Sequence, residues 1–196
     1  MKRIFDVFLS SLGLLILSPL FLLIAIMITI KSRGGIFYKQ KRVGKNNKDF
    51  YLFKFRTMIK DADKSSDLTV GKQDSRITKS GYLLRKYKLD ELPQLFNVLL
   101  GNMSLVGPRP EVRKYVNLYT PEQREVLSVK PGITDYASIE YAKESELLGN
   151  AIKPEETYIT QIMPAKLKLN SKYIIEQNLF TDMKIIFNTF RRIINN

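Results

Sequence analysis

The sequence predicts an α+β fold: a compact membrane-associated domain with an N-terminal re-entrant helix broken at a Ser-Pro pair. Three observations lead to it. Residues 4 to 30 are almost entirely apolar, two aromatic-rich segments with strand character follow, and most later apolar residues recur at helical spacing. No Gly-rich strand–turn–helix fingerprint marks a dinucleotide fold. The membrane helix is assigned to residues 1–33 and the remaining domain to residues 34–196.

The apolar run reads "IFDVFLSSLGLLILSPLFLLIAIMITI", with Asp6 as its one charge. Lys2 and Arg3 precede it, and Lys31 and Arg33 follow it. A signal peptide has a shorter apolar stretch and a small-residue cleavage site, and neither is evident here. A straight helix of this length spans about 40 Å, more than the roughly 30 Å hydrocarbon core of a bilayer. Ser18-Pro19 falls in its middle. Proline lacks an N–H and its ring clashes with the carbonyl four residues back, so a kink is expected there. The Ser18 hydroxyl is then available to a freed backbone carbonyl, which matters in lipid. Basic residues on both flanks give no single orientation for a span. A helix that enters one leaflet and returns puts both flanks on one face, and we take that form over a kinked span.

The next elements follow in order. "IFYKQKRVG" (36–44) and "DFYLFKFRTM" (49–58) suit strands, with "KNNK" as the turn between them. In a strand, Lys54 and Arg56 share a face. Residues 59 to 79 are polar and read as a short helix plus loop. From Ser80 to Leu100 the leucines and Phe96 fit helical spacing. "GNMSLVGPRP" (101–110) is a Gly/Pro-punctuated loop. Helical pattern is expected over 111–119 and 121–129. "KPGITDYASIEY" (130–141) opens with a Pro-Gly turn and is expected to continue as a strand. Pro154-Glu155-Glu156 starts a helix. Met183, Ile186, Phe187, Phe190 and Ile194 form a helical stripe, read as core packing, although Arg191 and Arg192 beside it also suit an interfacial helix.

Composition excludes several chemistries. Of 196 residues, none is Cys and none is His. Disulfides, thiolate metal sites, Ser-His-Asp and Cys-His catalysis and the usual zinc sites are therefore absent. The formal net charge is +13, and residues 31 to 60 hold ten Lys/Arg against one acid, Asp49. Such a block is either a solvated face or a surface for anionic partners. An RNA-binding motif, a zinc finger and a basic helix-turn-helix are all absent, so no nucleic acid partner is expected.

Against this basic background, Asp90-Glu91 stands directly before Leu92-Pro93. Pro93 suits the first turn of a helix, so both carboxylates lie near a helix start, where their ionised forms are favoured. An ionised Asp is a usable nucleophile toward phosphorus, and a carboxylate is a hard ligand for Mg2+. Taken alone, an Asp-Glu pair before a proline is more often a surface cap. The surroundings change that balance. "SLVGPRPE" follows shortly and presents Arg109 between two prolines, and Arg85, Lys86 and Lys88 are close in sequence. Arginine is the fork-shaped donor suited to phosphate.

"LDELPQLFNVLLGNMSLVGPRPE" (89–111) resembles the signature of the bacterial sugar transferase family, the monotopic phosphoglycosyl transferases. The resemblance continues through "KRIFDVFLSSLGLLILSP" (2–19), "YKQKRVGKNNKDFYLFKFRTM" (38–58), "DSRITKSGYLLRK" (74–86), "VKPGIT" (129–134) and "FTDMKIIFNT" (180–189), spaced in the family's order. It implies a catalytic domain that moves a phosphosugar from a UDP-sugar to undecaprenyl phosphate and releases UMP. It implies Asp90 as nucleophile, Glu91 as Mg2+ ligand and Arg109 on substrate phosphate. Lys54, Arg56 and Arg85 are implied as further phosphate-binding groups, Ser18-Pro19 as the membrane helix break, and Asp182 as a late acidic candidate. The implied location is the cytoplasmic face of the bacterial inner membrane.

One segment departs from the pattern. Many relatives read Gly, then Trp or Leu, then Ala-Gln-Val-Asn-Gly-Arg after "PGIT". Here Asp135-Tyr136-Ala137-Ser138-Ile139-Glu140-Tyr141-Ala142 stands instead, with Lys143 next to the position of the usual Arg. Two rivals remain: a membrane-associated glycosyltransferase that releases UDP, and a non-catalytic basic membrane adaptor.

Overall fold

The computed structural model describes residues 1–31, 34–59, 62, 68, 70–71 and 74–195. Arg33 and about half of the expected short helix and loop over 59–79 lie outside them. The first element is helix α1 (Lys2–Lys31), which runs without interruption through Pro19. The Ser-Pro pair therefore does not split it into two helices. The reason is local. Pro19 offers no N–H to the carbonyl of Leu15, and Ser18 Oγ donates to that oxygen at 2.8 Å instead.

Helix α1 is the one element among the described residues long and apolar enough to cross a membrane, with a mean hydropathy of 2.7 in its best window. Ile4, Phe8, Leu15, Ile16, Leu22 and Leu23 are 63–74% exposed along its outer side. Its inner side lies against the domain from end to end. Lys2 pairs with Asp182. Arg3 donates to the carbonyls of Val98 and, at 2.9 Å, Leu99. Asp6 is buried and accepts from Ser104 Oγ at 2.8 Å and Leu105 N at 3.1 Å. Farther along, Phe21 meets Phe55 edge-on with ring centres 5.1 Å apart, and Ile24 and Ile28 are buried with Phe55 and Leu84.

Strands β1 (Phe37–Val43) and β2 (Asp49–Phe55) form the expected antiparallel hairpin, in register from Phe37↔Phe55 to Val43↔Asp49. Asn46 and Asn47 take φ of 55° and 61° in the turn, a region asparagine tolerates. The helical spacing of 80–100 resolves into two helices, with Pro93 at the start of the second as expected. Helix α2 (Lys79–Lys86) is capped by Thr78, whose Oγ1 accepts from Gly81 N at 3.0 Å. Lys88 then turns left-handed at φ 56°, a short 3-10 turn follows at Leu89–Glu91, and helix α3 (Gln94–Leu100) begins after Pro93. Asn97 of α3 is fully buried and completes the open edge of β2. Its Oδ1 accepts from Phe53 N at 2.9 Å and its Nδ2 donates to Tyr51 O at 2.7 Å.

Strand β3 (Ser104–Val106) is next, and the helix expected over 111–119 shrinks to α4 (Arg113–Val116). Residues Gln123–Ser128 form a 3-10 turn. Strand β4 (Gly132–Thr134) pairs parallel with β3, Ser104 opposite Gly132 and Val106 opposite Thr134. The strand expected over 130–141 stops there, because the Asp135 side chain caps helix α5 (Tyr136–Glu140) by accepting from Ser138 N at 2.6 Å. Helices α6 (Glu144–Gly149), α7 (Pro154–Thr157), α8 (Met163–Glu176) and α9 (Leu179–Ile194) complete the chain, a π turn at Tyr158–Ile162 joining α7 to α8. The largest buried cluster gathers Val112, Tyr115, Tyr158, Met163 and Leu167 behind the hairpin.

Of the stripe on α9, only Ile186 packs on the core, beside Val106, Tyr173 and Ile185. Met183, Phe187, Phe190 and Ile194 are exposed, and Asp182 and Ile185 face inward in their place.

Asp6 holds two donors of β3 against the helix. Asp6→Ala is expected to destabilise the protein by about 2 kcal/mol, since it orphans a buried N–H and hydroxyl. Thermal unfolding of detergent-purified protein checks this, and an unchanged Tm would show that the contact does not anchor α1.

Candidate active site

Three segments far apart in sequence converge on the carboxylate pair. The turn Leu89–Glu91 supplies Asp90 and Glu91, the end of β2 supplies Lys54, and the loop after β3 supplies Arg109. Asp90 and Glu91 are only 5% and 9% exposed, so they are not a surface cap. Arg109 grips Glu91 with both ends of its fork. Nη1 lies 3.0 Å from Oε2, and Nη2 donates to Oε1. Lys54 Nζ reaches the same Oε1 at 3.3 Å.

Asp90 is treated differently by its surroundings. Its Oδ1 is buried and has no hydrogen-bond partner. Burial and the neighbouring Glu91 charge push its carboxyl above the ordinary aspartate value, against the pull of Lys54 and Arg85. Burial pushes Glu91 the same way, but Arg109 and Lys54 outweigh it and hold its carboxyl well below the usual range. Burial lowers the Lys54 ammonium, with Glu91 opposing. Glu91 raises the Arg109 guanidinium, which stays charged. The site thus contains one neutralised carboxylate and one that is buried and unpaired.

The remaining candidates divide. Arg85, in the last turn of α2, donates from Nε to Thr57 Oγ1 at 2.9 Å and is close enough to Asp90 for each to shift the other. Arg56 turns toward Gly34, where an added Cβ would come within 2.0 Å of its guanidinium. Asp182 belongs to a separate buried network with Lys2 and with Tyr173, whose hydroxyl donates to it at 2.7 Å. Ser18 and Pro19 lie on α1, where Ser18, Phe21, Phe96 and Leu99 line an open apolar groove. Lys143 is exposed at the start of α6.

Gly107 and the two prolines were read from the sequence as fixing the loop that presents Arg109, whereas other residues that hold the site were not singled out. Gly107 brings the loop so close to the next segment that an added Cβ would sit 2.5 Å from Lys130 O. Gly132 N donates to Pro108 O at 3.0 Å. Arg42 Nη1 donates to Pro110 O at 3.2 Å and to Glu111 Oε1 at 2.9 Å. Glu111 also accepts from Tyr158 OH and from Val112 N. Its position directly after Pro110 was the available signal, an acid opening a segment whose other charges, Arg113 and Lys114, are basic.

The site thus joins a buried acidic turn and an arginine loop clamped to it, in a mixed helix-and-strand domain that carries one long apolar helix. The chain belongs to the bacterial sugar transferase family, whose sequence model matches residues 1–196. It is 35% identical over 198 residues to the UDP-N-acetylgalactosamine-undecaprenyl-phosphate N-acetylgalactosaminephosphotransferase of Aeromonas hydrophila, covering 98% of this chain and 43% of that protein. It is 38% identical over 194 residues to the uncharacterized sugar transferase EpsL of Bacillus subtilis, covering 99% of this chain and 87% of that one. It is 39% identical over 201 residues to the undecaprenyl-phosphate glucose phosphotransferase of Komagataeibacter xylinus, covering 97% and 35%. The chain thus spans less than half the length of two of these relatives and most of the third.

The two carboxylates should respond oppositely to removal of charge. A carboxyl whose pKa is raised on folding destabilises the fold above that raised pKa and stops doing so below its unfolded value. Asp90→Asn is therefore expected to be the more stable protein at mildly alkaline pH, on the order of 1 kcal/mol, with the gain shrinking as pH falls through the raised pKa. Glu91 is depressed, so its stabilisation is present above the unfolded pKa and lost as pH falls through the folded one. Glu91→Gln should be less stable at neutral pH and approach the natural protein in acid. Melting temperatures across pH test both, and equal curves for Asp90→Asn would show that Asp90 carries no burial cost.

Proposed function

We propose that the protein is a phosphoglycosyl transferase that moves a phosphosugar from a UDP-sugar to undecaprenyl phosphate and releases UMP. The observation that carries this reading is the buried, unpartnered Oδ1 of Asp90 beside a carboxylate already neutralised by Arg109 and Lys54. An oxygen without a partner is free to attack, and the neighbouring cations are positioned where an incoming diphosphate needs them.

In the first step, an Asp90 carboxylate oxygen bonds to the sugar-proximal phosphorus. The phosphorus–oxygen bond to UMP breaks, UMP leaves with that electron pair, and Asp90 carries the phosphosugar. In the second, an oxygen of the polyprenol phosphate attacks the same phosphorus, the aspartyl bond breaks, and the polyprenol diphosphosugar departs. The acceptor already carries an ionised oxygen, so no histidine is needed to activate it. Arg109 and Lys54 orient the diphosphate, and Arg85 holds positive charge beside Asp90.

The donor set is compatible with Mg2+. This ion keeps several waters and is usually held by one or two carboxylates plus substrate phosphates. The two carboxylates of the turn meet that need, and no larger metal-ligating cluster occurs among the described residues. Glu91 would hold the ion together with the substrate phosphates, leaving the free oxygen of Asp90 for attack, and the ion would supply further neutralisation of the diphosphate.

The single-face placement of the re-entrant reading, with α1 as one continuous helix and not two, is supported by its contacts at both ends with the same domain: Lys2, Arg3 and Asp6 at one end, Ile24 and Ile28 at the other. A helix leaving the domain across a bilayer would carry one end away. The exposed apolar face of α9, with Arg191 and Arg192 at its end, suits contact with the headgroup region of the same leaflet. We assign the domain to the cytoplasmic face of the bacterial inner membrane.

Two experiments test this. Purified protein given Mg2+, undecaprenyl phosphate and a panel of UDP-sugars is expected to release UMP with one of them, with no release by Asp90→Asn. UDP as the product would reject the aspartyl route in favour of glycosyl transfer. Single cysteines at Met1 and Lys31 are expected to react with an impermeant reagent from the cytoplasmic side alone; a Met1 label from the opposite side would reject the re-entrant placement.

A further inference from the structure

We infer that Asp135 is a positioning residue for Arg109, acting through the one backbone N–H that the Pro108-Arg109-Pro110 tripeptide possesses. The inference rests on the reading of Arg109 as a phosphate-binding group. Proline has no N–H, so residues 108 to 110 present a single main-chain donor, that of Arg109. Asp135 Oδ2 accepts it at 3.1 Å.

The place of this bond in the ladder explains why a side chain makes it. Strands β3 and β4 run parallel, with Ser104 N donating to Pro131 O at 2.8 Å, Gly132 N to Pro108 O at 3.0 Å and Gly107 N to Thr134 O at 3.0 Å. Strand β4 then ends, because the chain turns into α5 at Asp135. No backbone carbonyl is in line for the next donor on the other side, which is Arg109. The carboxylate of Asp135 supplies the missing rung.

That carboxylate is itself fixed. Asp135 is fully buried, and its Oδ1 caps α5 by accepting from Ser138 N at 2.6 Å. One oxygen is tied to the helix and the other to Arg109. The two prolines restrict the backbone further, since Pro108 and Pro110 have fixed φ and a residue before proline is driven to extended conformations. With its N–H clamped as well, Arg109 retains only side-chain freedom, and its guanidinium sweeps a narrow arc around Glu91. The Asp135 charge also acts favourably on that guanidinium.

The competing account is that Asp135 only caps α5. Asp135→Ser separates the two roles. Serine ranks with aspartate as an N-cap, so α5 keeps its cap, but one short hydroxyl cannot also reach Arg109. Asp135→Ser is expected to melt close to the natural protein. Its Arg109 amide should lose protection in hydrogen exchange, which is readable because residues 108 and 110 carry no amide of their own. Affinity for UDP with Mg2+ present should fall about three- to tenfold, the worth of one hydrogen bond. In an Arg109→Ala background the same substitution should change UDP affinity less than about twofold, as expected for residues that act as one unit. Unchanged exchange at Arg109, unchanged UDP affinity, or an equal loss in the Arg109→Ala background would each overturn the inference. Failure of the natural protein to bind UDP would instead overturn the donor reading, while amide exchange, which needs no nucleotide, would still decide whether Asp135 holds Arg109.

Discussion

The architecture depends on one constraint: two adjacent carboxylates must be buried without leaving both charges bare. An unpaired buried charge costs several kcal/mol, and breaking a buried pair costs about 3–5 kcal/mol because the partner is stranded. Glu91 therefore requires Arg109 and Lys54. That requirement draws together the end of the hairpin, the turn before α3 and the loop after β3. Such a pair is seldom better for stability than well-packed apolar groups of the same volume. Its retention in a domain with a sound apolar core elsewhere is best explained by chemistry. Adjacent residues face different directions on a helical turn, so Asp90 feels the charge of Lys54 without the hydrogen bond that Glu91 receives. It is left as the unpaired member.

Helix α1 sets where that chemistry can occur. Its ends are attached by different physics. Lys2, Arg3 and Asp6 make polar contacts with α9, α3 and β3, and Ile24 and Ile28 pack into an apolar cluster beneath α2 and the hairpin. The outer side stays apolar along its length, and α9, joined to the start of α1 through Asp182 and Lys2, exposes Phe180, Met183, Phe187 and Phe190. Two apolar surfaces linked by a half-buried ion pair are held in a fixed relation. A lipid surface can cover both at once without separating the helix from the active site.

Much of this was legible in the sequence, and the limits have physical causes. The hairpin was visible in aromatic alternation and in the Asn pair, whose left-handed turn is local chemistry. Asp90, Glu91 and Arg109 were visible because charge beside proline is unusual in a basic chain. The division of labour between the carboxylates was not, since it depends on which one Arg109 reaches across the fold. The strand expected after "PGIT" failed because Asp135 is a cap, and a cap competes with strand pairing only when its helix packs. The α9 stripe was misread because helical spacing identifies an apolar face without saying what covers it. Asp182 matched an acidic position in the resemblance, but its contacts are with Lys2 and Tyr173, which lie 180 and 9 residues earlier in the chain.

The absence of histidine then has a structural meaning. Histidine is useful where a hydroxyl must be deprotonated near neutral pH. A carboxylate attacking phosphorus needs no proton removed, only ionisation and a cationic surround. Burial works against that ionisation, and Asp90 is pushed upward for this reason. Lys54 and Arg85 pull the other way. A site with Arg109 in place faces an incoming diphosphate with three cations and two carboxylates, close to balance in charge. The diphosphate would tip that balance negative, which favours a divalent cation entering with it over one already resident. On the proposed reading, the same electrostatics that leave Asp90 unpaired at rest would make the site receptive to a substrate that brings its own counter-ion.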